Sequence, residues 1–225
     1  SDLFSRFFSF SKEVIGALLL VAILTNSSFI GLPILNAYMG ETAIPYVLVY
    51  DQLGTFLALA TYGTFVVSYC SSKTQITFKI ITFKVLTFPP FISLIVALFF
   101  IGVEFHPVIS KVLSSLANTI VPIALVAVGL QLQFKLPKED LKPFSVALFV
   151  KLLVAPIIAI IVCKIFGWNN QASIVSIMEA GMAPMITAGA IASMAGLAPR
   201  LSSAIVGYGI LISFITTGIL YKFIN

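Results

Sequence analysis

The chain has 225 residues, 60% of them hydrophobic and 9% charged, with a formal net charge of +5 and a mean hydropathy of +1.12. These values exclude an ordinary soluble domain and fit a polytopic membrane protein. Its 13 basic residues are scattered between apolar runs, a pattern that orients a protein in a bilayer and forms no nucleic-acid surface.

A helix needs about 20 apolar residues to cross the hydrocarbon core. Seven stretches meet that length, 14–38, 44–69, 85–103, 108–131, 144–165, 172–194 and 201–223, and predict an all-α, polytopic transmembrane helix bundle. The opening SDLFSRFFSFSKE has no signal-peptide pattern and reads as the middle or end of something longer. The first segment contains TNSSFIGLPILNAYMG and the sixth contains EAGMAPMITAGAIASMAG. Proline cannot donate a backbone hydrogen bond, so Pro33 frees the carbonyl of Phe29 and Pro184 that of Ala180. Such groups survive at membrane depth only when buried in protein or lining a wet cavity, so both segments are expected to be broken helices of a transport pathway. Pro122 and Pro156 are expected to bend the fourth and fifth segments, and Gly129, Gly189, Gly207, Gly209 and Gly218 to permit close helix contact.

Alternate connections hold nine basic residues on one side and three on the other, with Lys151 left inside the fifth segment. The expected topology therefore has the amino terminus of this chain in the cytoplasm and its carboxyl terminus outside, in a bacterial-type inner membrane. The first and second segments parallel the sixth and seventh: a small residue and proline, a glycine, a short turn with a second proline (Pro45, Pro199), then an unbroken apolar helix. A period of five implies an incomplete first repeat over 1–84, with two helices, and a complete five-helix second repeat over 85–225. About three helices are then expected upstream of Ser1, in a 5+5 inverted-repeat transporter fold with two broken, crossing helices.

Four motifs stand in order along the chain: NSSFIGLPILNAYMG, ANTIVPIALVAVGLQLQ, KLLVAPII and EAGMAP. Together they resemble the auxin efflux carrier family of membrane transport proteins over nearly the whole chain. The resemblance implies ten helices in two inverted repeats, broken fourth and ninth helices that cross at the midplane, and efflux of organic anions such as auxin or dicarboxylates. It also implies a distant likeness to sodium/bile-acid symporters, whose crossover carries Glu-x-Gly-Met-Gln. Here Glu179, Gly181 and Met182 match and Ala183 replaces the glutamine, which counts against sodium coupling.

Breaking a helix exposes amides at the new start and carbonyls at the new finish. The expected binding site for a small organic anion therefore lies around Gly31, Pro33, Gly181, Met182 and Pro184, with Asn26, Ser27, Ser28 and Thr187 as polar lining. The serines and threonine could instead bond back to their own helices. Lys151 either attracts the anion or extends its ammonium to water. Glu179, near mid-membrane, either carries a coupling proton or sodium ion or pairs with Lys151. Asp51 and Gln52 belong to the same coupling role or lie among headgroups. Cys70, Cys163 and His106 lack metal-ligand spacing, so no metal site or cofactor is expected beyond Na+ or H+ as coupling ion. Asp51 is the only aspartate within a segment, which argues against a two-aspartate intramembrane protease, and no enzyme activity is expected. The function expected is a secondary transporter for organic anion efflux, with a sodium- or proton-coupled symporter or a non-transporting sensor as alternatives. Lipid and a second copy of the chain, exchanging helices in a homodimer, complete the expected partners.

Overall fold

The computed structural model describes residues 10–71, 89–119 and 138–224, together with 122, 123, 126 and 130. Nine helices have both ends among these residues: α1 (Lys12–Val21), α2 (27–39), α3 (Glu41–Cys70), α4 (Pro89–Phe99), α5 (Pro107–Ala117), α6 (Lys138–Ile165), α7 (Gln171–Ala180), α8 (Ile186–Met194) and α9 (Pro199–Ile224); residues 122, 123, 126 and 130 are helical as well. Three of them, α3, α6 and α9, are long and apolar enough to cross a membrane unbroken. Each of the seven predicted segments overlaps at least one of the nine helices. The predicted repeat boundary at 84, and Gly129, lie outside the described residues.

Local sequence explains where the helices begin and stop. Ser11 caps α1 by accepting from the Val14 amide at 3.3 Å. Asn170 caps α7 in the same way, accepting from Ser173 at 3.0 Å. α2 ends at Gly40, whose φ of 75° is favoured for glycine, and the turn after α8 uses Gly196 with the same φ. Each of these turns leads, within a few residues, into a long apolar helix that has a proline in or near its first turn.

The two broken segments are present, with one correction. The second breaks at 181–185, at Pro184 as expected. The first breaks at 22–26, ahead of Pro33, and Pro33 itself sits inside a continuous α2. The reason is that a widened turn ahead of a proline relieves the clash of its ring with the preceding carbonyls. Here the preceding turn, Ser27–Gly31, widens to π geometry. α6 absorbs Pro156 by the same device: Val150–Val154 forms a π turn and the helix runs on through the proline without a break.

At the centre the two breaks cross. Thr25 and Pro184 face each other in an isolated antiparallel bridge. The Asn26 amide donates to the Ala183 carbonyl at 2.9 Å, and the Met185 amide donates to the Leu24 carbonyl at 3.1 Å. The pair at the middle of this bridge is of the kind that exchanges no hydrogen bonds of its own, so proline fits there without loss of a bond.

Around the crossover the buried core joins Val21, Ile30, Leu35, Met178, Leu201 and Ile205. A second cluster packs Leu20, Leu24, Val67, Ala188 and Leu197. The outer face is apolar, with Phe65, Ile215 and Phe223 exposed, as lipid requires. Since lipid tails are as apolar as these side chains, close fit rather than water exclusion holds such helices together. Gly189 and Gly209 supply that fit. A Cβ on Gly189 would lie 2.6 Å from Val206 Cγ2, and one on Gly209 would lie 2.7 Å from Cγ of Pro184 and 3.1 Å from Leu148. Gly209→Ala is therefore expected to lower stability by about 1–3 kcal/mol through overpacking against a rigid ring. Gly54→Ala, with no neighbour within 4 Å of its Cβ, should leave the unfolding midpoint in detergent close to wild type. Equal midpoints for the two variants would refute the tight contact.

Candidate functional site

The start of α2 is the first half of the site. Its opening amides, from Ser27 to Ile30, precede the first intrahelical bonds, in which Gly31 donates to Asn26 and Leu32 to Ser27. A cavity of about 320 Å³ opens beside them. It brings together six residues singled out from sequence: Asn26, Ser27, Ser28, Asp51, Gln52 and Thr187. Thr25 at the bridge and Met185 beyond it also line the cavity, and Phe29, Leu32, Val47, Leu48 and Phe56 make most of its surface apolar.

Asp51 organises this wall. Ser27 Oγ donates to Asp51 Oδ1 at 2.6 Å, Gln52 Nε2 donates to Asp51 Oδ2 at 2.7 Å, and the Thr55 hydroxyl lies 3.2 Å from Ser27 Oγ. Ser27 thus reaches across to α3 rather than back to its own helix, and Asp51 is buried in protein rather than set among headgroups. Two polar atoms remain buried without a partner on this side, Asn26 Nδ2 and Gln52 Oε1. Such atoms are costly inside a protein and mark a place where a ligand or water completes the bonding.

Lys151 and Glu179, also at the crossing but off the cavity lining, have relative exposures of 1% and 0%. Lys151 lies in the π turn of α6. Its ammonium donates to Thr25 Oγ1 at 2.5 Å and to the Ala180 carbonyl at 3.2 Å. Ala180 is the residue whose carbonyl Pro184 was expected to free. Glu179 makes no contact pair with Lys151, and neither carboxylate oxygen has a hydrogen-bond partner. The carboxylate lies instead against Gly31, where a Cβ would come 2.7 Å from Glu179 Oε2.

The remaining candidates sit off the cavity. Met182 is fully buried in the core, and Gly181 packs on Leu220 and Pro156. Pro184 lies in the bridge, Pro33 within α2, and Lys151 does not border the cavity. Sequence reasoning passed over Thr25 and Thr55 as site residues. Thr55 had a legible signal, since it follows Asp51 by one helical turn; Thr25 is selected by tertiary contact alone.

Comparison with known proteins adds to this geometry. The model of a family described as "Membrane transport protein" matches residues 1–221. The chain belongs to that family. It is the family of the auxin efflux carriers, as the four motifs implied, and it makes this chain an integral membrane protein of a transporter family. The chain is also similar to the "Uncharacterized transporter MJ1031" of Methanocaldococcus jannaschii, 26% identical over 181 residues. That match covers 78% of this chain and 57% of the relative, so the chain spans a little over half of that protein's length.

The Asp51 cluster predicts a ranking of variants. Asp51→Ala strands the Ser27 hydroxyl and the Gln52 amide as buried donors and should cost about 1–3 kcal/mol of stability. Asp51→Asn keeps an acceptor and should cost less. Ser28→Ala, half-buried on the cavity, is expected to stay within about 0.5 kcal/mol of wild type. Thermal unfolding of the purified variants checks the order, and an Asp51→Ala protein as stable as wild type would contradict it.

Proposed function

We propose that this chain provides the core of a secondary carrier that moves a small organic anion, a monocarboxylate or dicarboxylate, outward across the membrane. One observation carries the reading: two broken helices cross in the interior, joined through their main chains, and the amide start of α2 opens on a cavity at the crossing. A helix start with unpaired amides favours an anion. Buried Asn26 Nδ2 is a further donor in want of an acceptor, and Ser28 and Thr187 add hydroxyls to the same wall.

Support for two inverted repeats comes from the matching order of break, half-helix, glycine turn and long helix in α1 to α3 and in α7 to α9. Their antiparallel meeting at Thr25 and Pro184 fits copies of opposite membrane orientation. Transport would then proceed by rocking the crossed unit against the other helices. Outward passage of a monoanion gains about 2.3 kcal/mol per 100 mV of inside-negative potential, so efflux requires no coupling ion. We place the amino terminus of this chain in the cytoplasm and the carboxyl terminus outside an inner membrane, with a homodimer exchanging helices as the assembly. We assign it no enzymatic role.

Coupling to sodium or protons is the second reading, favoured by the unpartnered Glu179 carboxylate and by Asp51 and Gln52 on the cavity.

Flux of labelled mono- and dicarboxylates in proteoliposomes tests the proposal. Efflux should rise with imposed potential in the absence of any sodium or proton gradient. Asn26→Ala, which removes a hydrogen bond to a charged ligand, should raise the half-saturating anion concentration about tenfold or more. Uptake that needs an ion gradient and is lost in Glu179→Gln would move the assignment to the coupled symporter. Absence of flux for every carboxylate would leave the sensor on the same fold.

A further inference from the structure

The carbonyl end of a broken helix in a membrane interior carries partial negative charge with no water to screen it, and carriers commonly place a sodium ion or a proton there. In this protein that end is α7, which stops at Ala180, and Pro184 cannot supply the amide that would have bonded the Ala180 carbonyl. The next acceptors are the Thr25 hydroxyl from the opposite break and the fully buried carboxylate of Glu179, whose two oxygens have no partner. This is an all-oxygen set of the class that binds a hard monovalent cation.

Two of these three groups already hold a cation. Lys151 places its ammonium on the Ala180 carbonyl at 3.2 Å and on Thr25 Oγ1, within Coulombic reach of Glu179. Two other uses of the lysine fit the geometry less well. Its ammonium does not border the cavity at the start of α2, so it is not presented to an anion there. With 1% exposure and both bonds directed inward, the side chain is not stretched toward an interface.

We propose that Lys151 is a tethered cation that occupies the seat of a coupling sodium ion at the crossover, so that this protein needs no sodium to hold its crossed helices together or to cycle. The carbonyl end of α7 is neutralised by a group that cannot leave. The inference deepens the carrier reading and rests on it for the word "cycle", but the seat itself is a property of the folded chain and is measurable without transport.

The test compares melting of the purified full chain in sodium, potassium and choline chloride. Wild type is expected to melt at the same temperature in all three. Lys151→Met vacates the seat, leaving the Ala180 carbonyl unpaired, Thr25 with Tyr50 as its remaining partner and the Glu179 carboxylate without its nearby positive charge; its midpoint should be lower in choline. It should rise by about 5–10 °C when sodium reaches about a hundredfold its dissociation constant. Methylammonium, a free copy of the lost group, should restore stability in the same variant. Lys151→Met that can be purified only with sodium or methylammonium supports the proposal equally. A variant indifferent to all these cations overturns it. Should Lys151→Met fail to fold in any medium, Lys151→Gln is judged by the same comparison, and equilibrium binding of radioactive sodium to wild type decides independently. Stoichiometric sodium binding to wild type overturns the proposal, and none supports it. Because these readouts are stability and ion binding, a failure to transport carboxylates would refute the carrier reading and leave the tethered cation standing.

Discussion

Everything at the centre of this protein depends on two main-chain hydrogen bonds, from Asn26 to Ala183 and from Met185 to Leu24. A helix that stops in hydrocarbon leaves amides and carbonyls that lipid cannot satisfy, at several kcal/mol for each orphan. Here each break is the solution to the other. Neither segment could stop at this depth alone, and neither could continue as a helix without removing the other's partner. The proline at the middle of the bridge stabilises the arrangement from the negative side, because it offers no amide with which α7 could continue.

Once the breaks are fixed, the chemistry divides between residues that line the cavity and residues that do not. The lining holds Asp51, Gln52, Ser27 and the first amides of α2. Off the cavity lie Lys151 and Glu179, buried almost without trace of surface. Three ionisable groups at the centre of an apolar bundle are costly unless each has a task. Asp51 is fully bonded and shapes a wall. Lys151 is bonded to both broken segments. Glu179 alone has no partner, and the absence of a side chain at Gly31 gives it room.

Much of this was legible in the sequence, for identifiable reasons. Long apolar runs separated by short polar turns specify helices and their number, because spanning length is set by the bilayer. The break at Pro184 was legible because a proline deep in a run removes a helix hydrogen bond, although Pro33 and Pro156 lose the same bond inside continuous helices behind π turns. The first break was misplaced onto Pro33, although Thr25, Asn26, Ser27 and Ser28 are residues that favour helix starts over helix interiors. Reading those four as a start would have put the break at 22–26. What the sequence left undecided was partner choice. Lys151 could have snorkelled, met a substrate or paired with Glu179, and only the three-dimensional meeting of α6 with both breaks selects Thr25 and Ala180. The π turns were equally hidden, since no residue type announces them.

The π turn under Lys151 has a consequence for how such chains diverge. A π turn is what an α-helix becomes when it carries one residue too many, and the surplus in α6 falls at 150–154. Deleting a single residue between Lys151 and Pro156 would let the turn relax to ordinary winding and rotate the two halves of the helix against each other by about 100°. The ammonium and the proline could then no longer both face the crossing. In distant kin, a one-residue gap at this point in an alignment would signal a carrier whose central charge has been reassigned, even where every other motif is intact.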